Sequence, residues 1–185
     1  MIFPLFRRPQ RSDTISSLYG MIVAQARRPV FYREYGVADT VDGRFDLLLL
    51  HIALVVERLM REETGKVCGQ GLFDRFCADM DDNLREMGIG DMSVPRHMKR
   101  VGEAFYGRTQ AYQAALAAAD DQALAEALVR NIYGGATSSA AAVSHLAAYI
   151  RRLASALAVQ PVAALIDGHV DLPDPAAFVP AVEQA

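Results

Sequence analysis

Residues 42–63 read DGRFDLLLLHIALVVERLMREE, and this stretch decides the fold. Advancing 100° per residue from Phe45 places Phe45, Leu48, Leu49, Ile52, Val56, Leu59 and Met60 on one stripe, the recurrence of an amphipathic helix. The opposite side changes character along its length. It carries Leu47, Leu50 and Leu54 in the first half, then Glu57, Arg58 and Arg61 in the second. The spacing predicts a helix over about 42–64, buried on nearly every side where it starts and with one wet face where it ends. The remaining helices must pack around it. His51 interrupts the apolar run well short of the roughly 20 residues that a membrane span needs, so the expectation is a soluble core helix.

The chain has 185 residues, a length that fits one domain burying roughly 70% of its unfolded surface. Its 52% hydrophobic content supports a core and its 22% charged content a solvated surface. A net charge of -3 argues against a dedicated nucleic-acid binder, so DNA is not an expected partner. Cys68 and Cys77 provide neither a disulfide framework nor zinc spacing, which points to a reducing compartment. Residues 1–6 are apolar and Arg7, Arg8 and Arg11 follow them, the reverse of the order in a secretory signal. Residues 1–12 are expected to form a flexible segment, with a membrane-surface foot as the other reading.

Working outward from the central helix, Asp13 can cap an earlier one whose stripe is Ile15, Leu18, Tyr19, Ile22, Val23 and Ala26, ending before Pro29. One short turn follows, closed by Gly36. Asp39, Thr40 and Asp42 are alternative caps for the central helix and Gly65 its stop. A loop is expected through Cys68, Gly69 and Gly71. The next helix carries Leu72, Phe73, Phe76, Met80, Leu84 and Met87 on one arc and ends at Gly88. Ser93 and Pro95 start another with Met98, Val101, Phe105, Tyr112 and Leu116 inward and Arg96, Lys99 and Arg100 outward. Asp120 or Asp121 caps a helix holding Leu124, Leu128 and Ile132. Ser138 or Ser139 opens the last long one, striped by Ala142, Leu146, Tyr149, Ile150, Leu153 and Leu157. Residues 169–185, with Pro173, Pro175 and Pro180, are expected as an extended or disordered tail. The expected fold is an all-α, single-domain compact bundle over residues 13–168.

Chemistry-bearing residues are sparse. Asp79, Asp82 and Glu86, spaced by three and four, share a helix face outside the apolar arc, with Arg75 one turn before Asp79. Di-metal bundles use Glu-x-x-His pairs, and no His in this chain stands three residues after a Glu. The carboxylate face therefore reads as a solvated or partner-facing surface. His51 lies in the half of the central helix that is apolar all round, which predicts a buried imidazole hydrogen-bonded to a neighbour. Arg96, Lys99 and Arg100 could meet phosphates, although three charges on one helix are ordinary solubilising charge. There is no glycine-rich phosphate loop, nucleophile elbow or Cys/His pairing. No catalytic residue, cofactor or metal is expected, and the residues alone describe a binding protein.

The runs GVADTVDGRFDLLLLHIALVVERL (36–59), LFDRFCADMDDNLREMGIGD (72–91) and HMKRVGEAFYGRTQAY (97–112), led in by LYGMIVAQARRPVFYREYG (18–36), resemble the ubiquinol–cytochrome c chaperone family. The resemblance covers about 18–133 and is similar to a bacterial member. It implies a helical assembly factor for respiratory complex III (ubiquinol–cytochrome c reductase) that holds newly made cytochrome b, near the ribosome or the membrane surface. Mitochondrial members work with a small partner subunit that no residue here reveals. By position the family pattern falls on Gly43 and Arg44, on Leu50 and His51, on an acid at Asp79 or Asp82, and on Met87 and Gly88. Charge pattern and resemblance together nominate Arg44, Asp79, Asp82, Glu86, Lys99 and Arg100 for client binding. The expected location is the cytoplasm, at most peripheral to the inner face of the cytoplasmic membrane. Two competing classes are a helical metal- or haem-handling enzyme using His51 and the carboxylates, and a membrane-surface scaffold held by Arg7, Arg8 and the Arg96 face.

Overall fold

A computed structural model describes residues 7–118, 120–135 and 139–179. The chain is all-α, in the order α1 (Arg7–Ala26), α2 (Val30–Arg33), α3 (Val41–Met60), a 3-10 turn (Glu63–Gly65), α4 (Lys66–Glu86), α5 (Val94–Ala117), α6 (Gln122–Asn131), α7 (Ala140–Val159), α8 (Val162–Ile166) and a second 3-10 turn (Pro175–Phe178).

The stretch read first becomes the axis of the bundle. Of its candidate caps Thr40 is the one used, its Oγ1 accepting from the Gly43 amide at 3.1 Å. Residues 47–56 of α3 are all buried, His51 among them, and α1, α4, α5, α7 and α8 pack around the helix. The wet face of the second half is narrower than the spacing predicts. Glu57 and Arg61 pair at 2.7 Å on the surface, but Arg58 is buried. Its Nε donates to the Leu157 carbonyl at 2.9 Å and its Nη2 to the Gln160 carbonyl at 2.7 Å, while Nη1 reaches Glu62 at 2.8 Å. A cation that looks solvated on its own helix thus supplies donors to carbonyls at the C-terminal end of α7, where the Leu157 carbonyl also accepts from the Gln160 amide.

Two further differences from the sequence reading concern glycine and the tail. The expected loop through Cys68, Gly69 and Gly71 is the first turns of α4. These glycines serve close approach rather than a break. A Cβ on Gly71 would sit 2.5 Å from Ile15 of α1, and one on Gly69 3.1 Å from Met60 and 3.2 Å from Leu59. Helix propensity is sacrificed so that α4 can lie against both neighbours.

Residues 169–179, expected as extended or disordered tail, form an ordered strap. The Gln160 side chain pairs with both backbone groups of Asp171 at 2.7 and 2.9 Å, Arg28 pairs with Asp174 at 2.9 Å, and Tyr35 Oη donates to the Pro175 carbonyl at 2.6 Å. Residues 180–185 lie outside the described residues. At the other end α1 begins at Arg7 rather than at Asp13, and residues 1–6 lie outside the described residues. Asp121 holds the N-cap position of α6 without a side-chain bond, and it is the Asp120 carboxylate that accepts from the Gln122 amide at 3.1 Å; Ser139 caps α7, accepting from Ala142 at 3.0 Å.

Three substitutions rank this account. Ile52 has no exposure, so Ile52→Asp buries an unpaired charge and removes cooperative unfolding. Arg58→Ala removes the donor of the Gln160 carbonyl and one of the two donors of the Leu157 carbonyl, and costs about 1–3 kcal/mol. Arg61→Ala stays within about 0.5 kcal/mol of wild type. Urea unfolding measures all three, and equal losses from the two arginine variants would refute the cap.

Candidate binding surface

Three places on the bundle carry more than packing: the buried imidazole, the carboxylate face of α4, and a groove that α4 shares with α1 and α3.

His51 is fully buried at the centre of α3. Its Nδ1 lies 2.7 Å from the Leu47 carbonyl, which can only accept, so Nδ1 carries the proton. Its Nε2 lies 2.8 Å from Tyr149 Oη on α7. That hydroxyl accepts from Gln25 Nε2 of α1 at 2.9 Å and therefore donates to the imidazole. The same Gln25 amide nitrogen also donates to the Pro173 carbonyl of the strap at 2.7 Å. Every donor in this chain has one acceptor and the imidazole must be neutral. Burial pushes its pKa down to about 4. Phe31 stands edge-on to both rings, at 5.5 Å from His51 and 5.2 Å from Tyr149. The sequence expectation of a buried, hydrogen-bonded histidine is met, and both ring nitrogens are spent on protein partners. Among the described residues no group of three or more His, Cys, Asp or Glu side chains is placed to hold a metal ion.

The carboxylate face divides. Asp79 is half-buried, accepting from Tyr19 Oη of α1 at 2.7 Å, with Arg75 at 3.8 Å and stacked 5.1 Å over the Tyr19 ring. Burial, and then Asp79 itself, push the Tyr19 hydroxyl well above its ordinary value. Asp79 fastens α4 to α1, and Asp82 and Glu86 remain the exposed members of the face. Of the nominated cations, Arg44 pairs with Asp39 at 2.7 Å and lies 5.9 Å over the Tyr32 ring, Lys99 stands 3.7 Å from Glu103, and Arg100 is exposed on α5. The nominated residues therefore spread over three helices.

What the sequence reading missed is the space beside them. Val23 of α1, Phe45 and Leu48 of α3, Met80 and Leu84 of α4, and Met87 at the C-cap of α4 line an open, mainly apolar groove of about 450 Å³. Val101 of α5 also lines it, and Arg27, Asp42 and Arg44 stand among its polar lining. Periodicity assigns all these apolar residues to the core. The available signal lies within the α4 stripe, which passes from Leu72, Phe73 and Phe76 to Met80, Leu84 and Met87, from rigid filling to flexible side chains suited to adaptable surfaces.

The described residues thus form an all-α bundle with an open apolar groove and, on another face of α4, exposed carboxylates. The profile of the ubiquinol-cytochrome C chaperones matches residues 33–172, and the chain belongs to that family. It is similar to the crystal structure of the Cbp3 homolog from Brucella abortus, with 40% identity and a TM-score of 0.85 over 95% of this chain and 98% of that one. It is 24% identical over 136 residues to the ubiquinol-cytochrome-c reductase complex assembly factor 1 of Xenopus laevis, covering 73% of this chain and 68% of that protein. The Drosophila melanogaster protein of the same description is 28% identical over 149 residues, 76% of this chain, and the matched part spans only 56% of its length. No helix among the described residues is long and apolar enough to cross a membrane.

The buried imidazole makes stability depend on pH. Between about pH 6.5 and pH 4 the unfolded chain takes up a proton that the folded chain refuses, so stability falls as pH falls, by on the order of 3 kcal/mol at pH 4. His51→Leu is less stable than wild type at neutral pH but lacks this linkage, so the gap between the two narrows as the solution is acidified. Parallel curves for the two proteins in urea titrations would contradict a neutral, buried His51.

Proposed function

We propose that this protein is a chaperone and assembly factor for ubiquinol–cytochrome c reductase, respiratory complex III, and that its client is newly made cytochrome b, held without chemical turnover. Family membership supports the class, and the names of the frog and fly relatives support the complex. The structural observation that supports the reading is an open apolar groove walled by Met80, Leu84 and Met87, with Asp82 and Glu86 exposed on another face of α4. A nascent membrane protein consists of apolar segments flanked by basic loops, and such a surface complements both parts. Asp82 and Glu86 attract the basic loops. Asp79 contributes to the same field while committed to Tyr19, and Arg44 borders the groove. Lys99 and Arg100 face phosphate-bearing neighbours at the membrane surface or the ribosome. Action at the inner face of the membrane follows from the client rather than from any spanning helix.

Deleting the gene should lower assembled complex III and cytochrome b together and leave unrelated membrane complexes near normal. Asp82→Lys with Glu86→Lys should weaken capture of cytochrome b severalfold without lowering the melting temperature, because both side chains are exposed; Asp79→Lys is unsuitable because it breaks the contact with Tyr19. Normal cytochrome b in the deletion strain would reject the function, and unchanged capture by the folded double variant would reject the acidic surface.

A further inference from the structure

Arg27 follows the last residue of α1, Arg33 ends α2, and Arg44 stands in the first turn of α3. With Pro29, Tyr32 and Asp39 these arginines line one small cavity of about 290 Å³. Three guanidinium groups therefore face a single carboxylate. Asp39 is matched to Arg44 at 2.7 Å, and among the described residues no carboxylate pairs with Arg27 or Arg33. Arg28 is the one spent elsewhere, on Asp174 of the strap at 2.9 Å.

A larger cleft of about 560 Å³ between α3, α5 and α7 makes the contrast. It too carries three arginines, but Arg58, Arg61 and Arg151 each answer a carboxylate, from Glu62, Glu57 and Asp121. Its charge is balanced, and the charge of the small cavity is not.

The small cavity is also supported from beneath. Tyr32 Oη donates to the Ala26 carbonyl at 3.0 Å, which fixes its ring, and the Arg44 guanidinium lies 5.9 Å over that ring. A cation in the first turn of a helix opposes the macrodipole. Arg44 occupies that position on a 20-residue helix and is held there by Asp39 and Tyr32. A local rule broken with this much support is the mark of a functional position. The positive end of α3 adds to the field of the three arginines.

We propose that this cavity is a phosphate-binding site, taking the phosphoryl group of a lipid head group or of a small soluble phosphate. Guanidinium groups arriving from three elements suit an anion with several equivalent oxygens, whereas a lone carboxylate is satisfied by one arginine, as Asp39 is by Arg44. A nucleic-acid backbone presents phosphates in series and finds no continuing basic track here, since Glu34 follows Arg33 and Asp42 borders the adjoining groove. The site does not depend on which client the protein holds.

The test uses the full chain and two probes. Inorganic phosphate is titrated by calorimetry, and phosphatidylcholine vesicles with and without phosphatidic acid are used in flotation. Wild type should bind free phosphate or the vesicles that carry phosphatidic acid, more weakly as salt is added. Arg27→Gln with Arg33→Gln should weaken that binding at least tenfold. Arg130→Gln with Arg152→Gln removes the same charge from exposed arginines outside both cavities and should leave binding within about twofold. All four side chains are exposed, so melting temperatures should match wild type. Binding of free phosphate that is lost in the first double variant identifies a soluble ligand. Binding of the phosphatidic acid vesicles alone, with the same loss, identifies a lipid head group. Failure of wild type to bind either probe overturns the proposal, and so does equal weakening by the two double variants, which would reduce the site to general surface charge.

Discussion

The architecture depends on one buried chain of hydrogen bonds, from the Pro173 carbonyl through Gln25 and Tyr149 to His51 and the Leu47 carbonyl. It joins α1, α3, α7 and the C-terminal strap at a single point inside the core. Gln25 donates to both Pro173 and Tyr149, and Tyr149 passes the direction on to His51, so the chain specifies a unique arrangement where purely apolar contacts would tolerate sliding. An imidazole at the centre of an apolar helix would otherwise be a defect. Here its neutrality is enforced by burial and its two nitrogens are matched to an acceptor and a donor. The aromatic cluster of Phe31, Tyr35, Tyr149 and Phe178 packs around the chain, and Tyr133 Oη donates to the Tyr35 carbonyl to hold the end of α6 against it.

With one side of α3 closed in this way, α4 is placed by different means on the other side. Gly69 and Gly71 let its first half lie against Leu59, Met60 and Ile15, and the Tyr19–Asp79 bond pins its middle to α1. Beyond Asp79 the side chains that face inward are Met80, Leu84 and Met87, and there the helix borders a groove instead of a filled core. Tight packing at one end and an open apolar wall at the other are thus features of one helix. The contrast follows from the residue sizes along its stripe.

Much of this was legible in the sequence, because periodicity reports which face of a helix is apolar. The central helix, its passage from surrounded to half-wet, the buried His51 and the all-α class all follow from that signal. The failures share one physical cause, which is that periodicity is silent about what a face meets. Arg58 looks solvated on α3 and is buried because the end of α7 lies above it. Gly69 and Gly71 look like breakers and are contact points. Pro173 and Pro175 look like tail signals, yet their carbonyls accept from Gln25 and Tyr35 across the fold. Asp79 belongs to the acidic face by spacing and to the α1 contact by structure. The groove escaped for the same reason, since exposed and buried members of one apolar stripe are indistinguishable before the neighbouring helices are placed.

Family membership makes this chain an assembly chaperone, and the apolar groove is the surface with which we propose that it holds its client. Site-specific photo-cross-linking in cells tests this most directly, with the photoreactive side chain placed once at Met87 in the groove and once at Val159, which is exposed outside it. The account predicts a cross-link from position 87 to cytochrome b while it is newly made and little or none from position 159. Absence of cytochrome b from the position 87 adducts, or equal yields from the two positions, would contradict it.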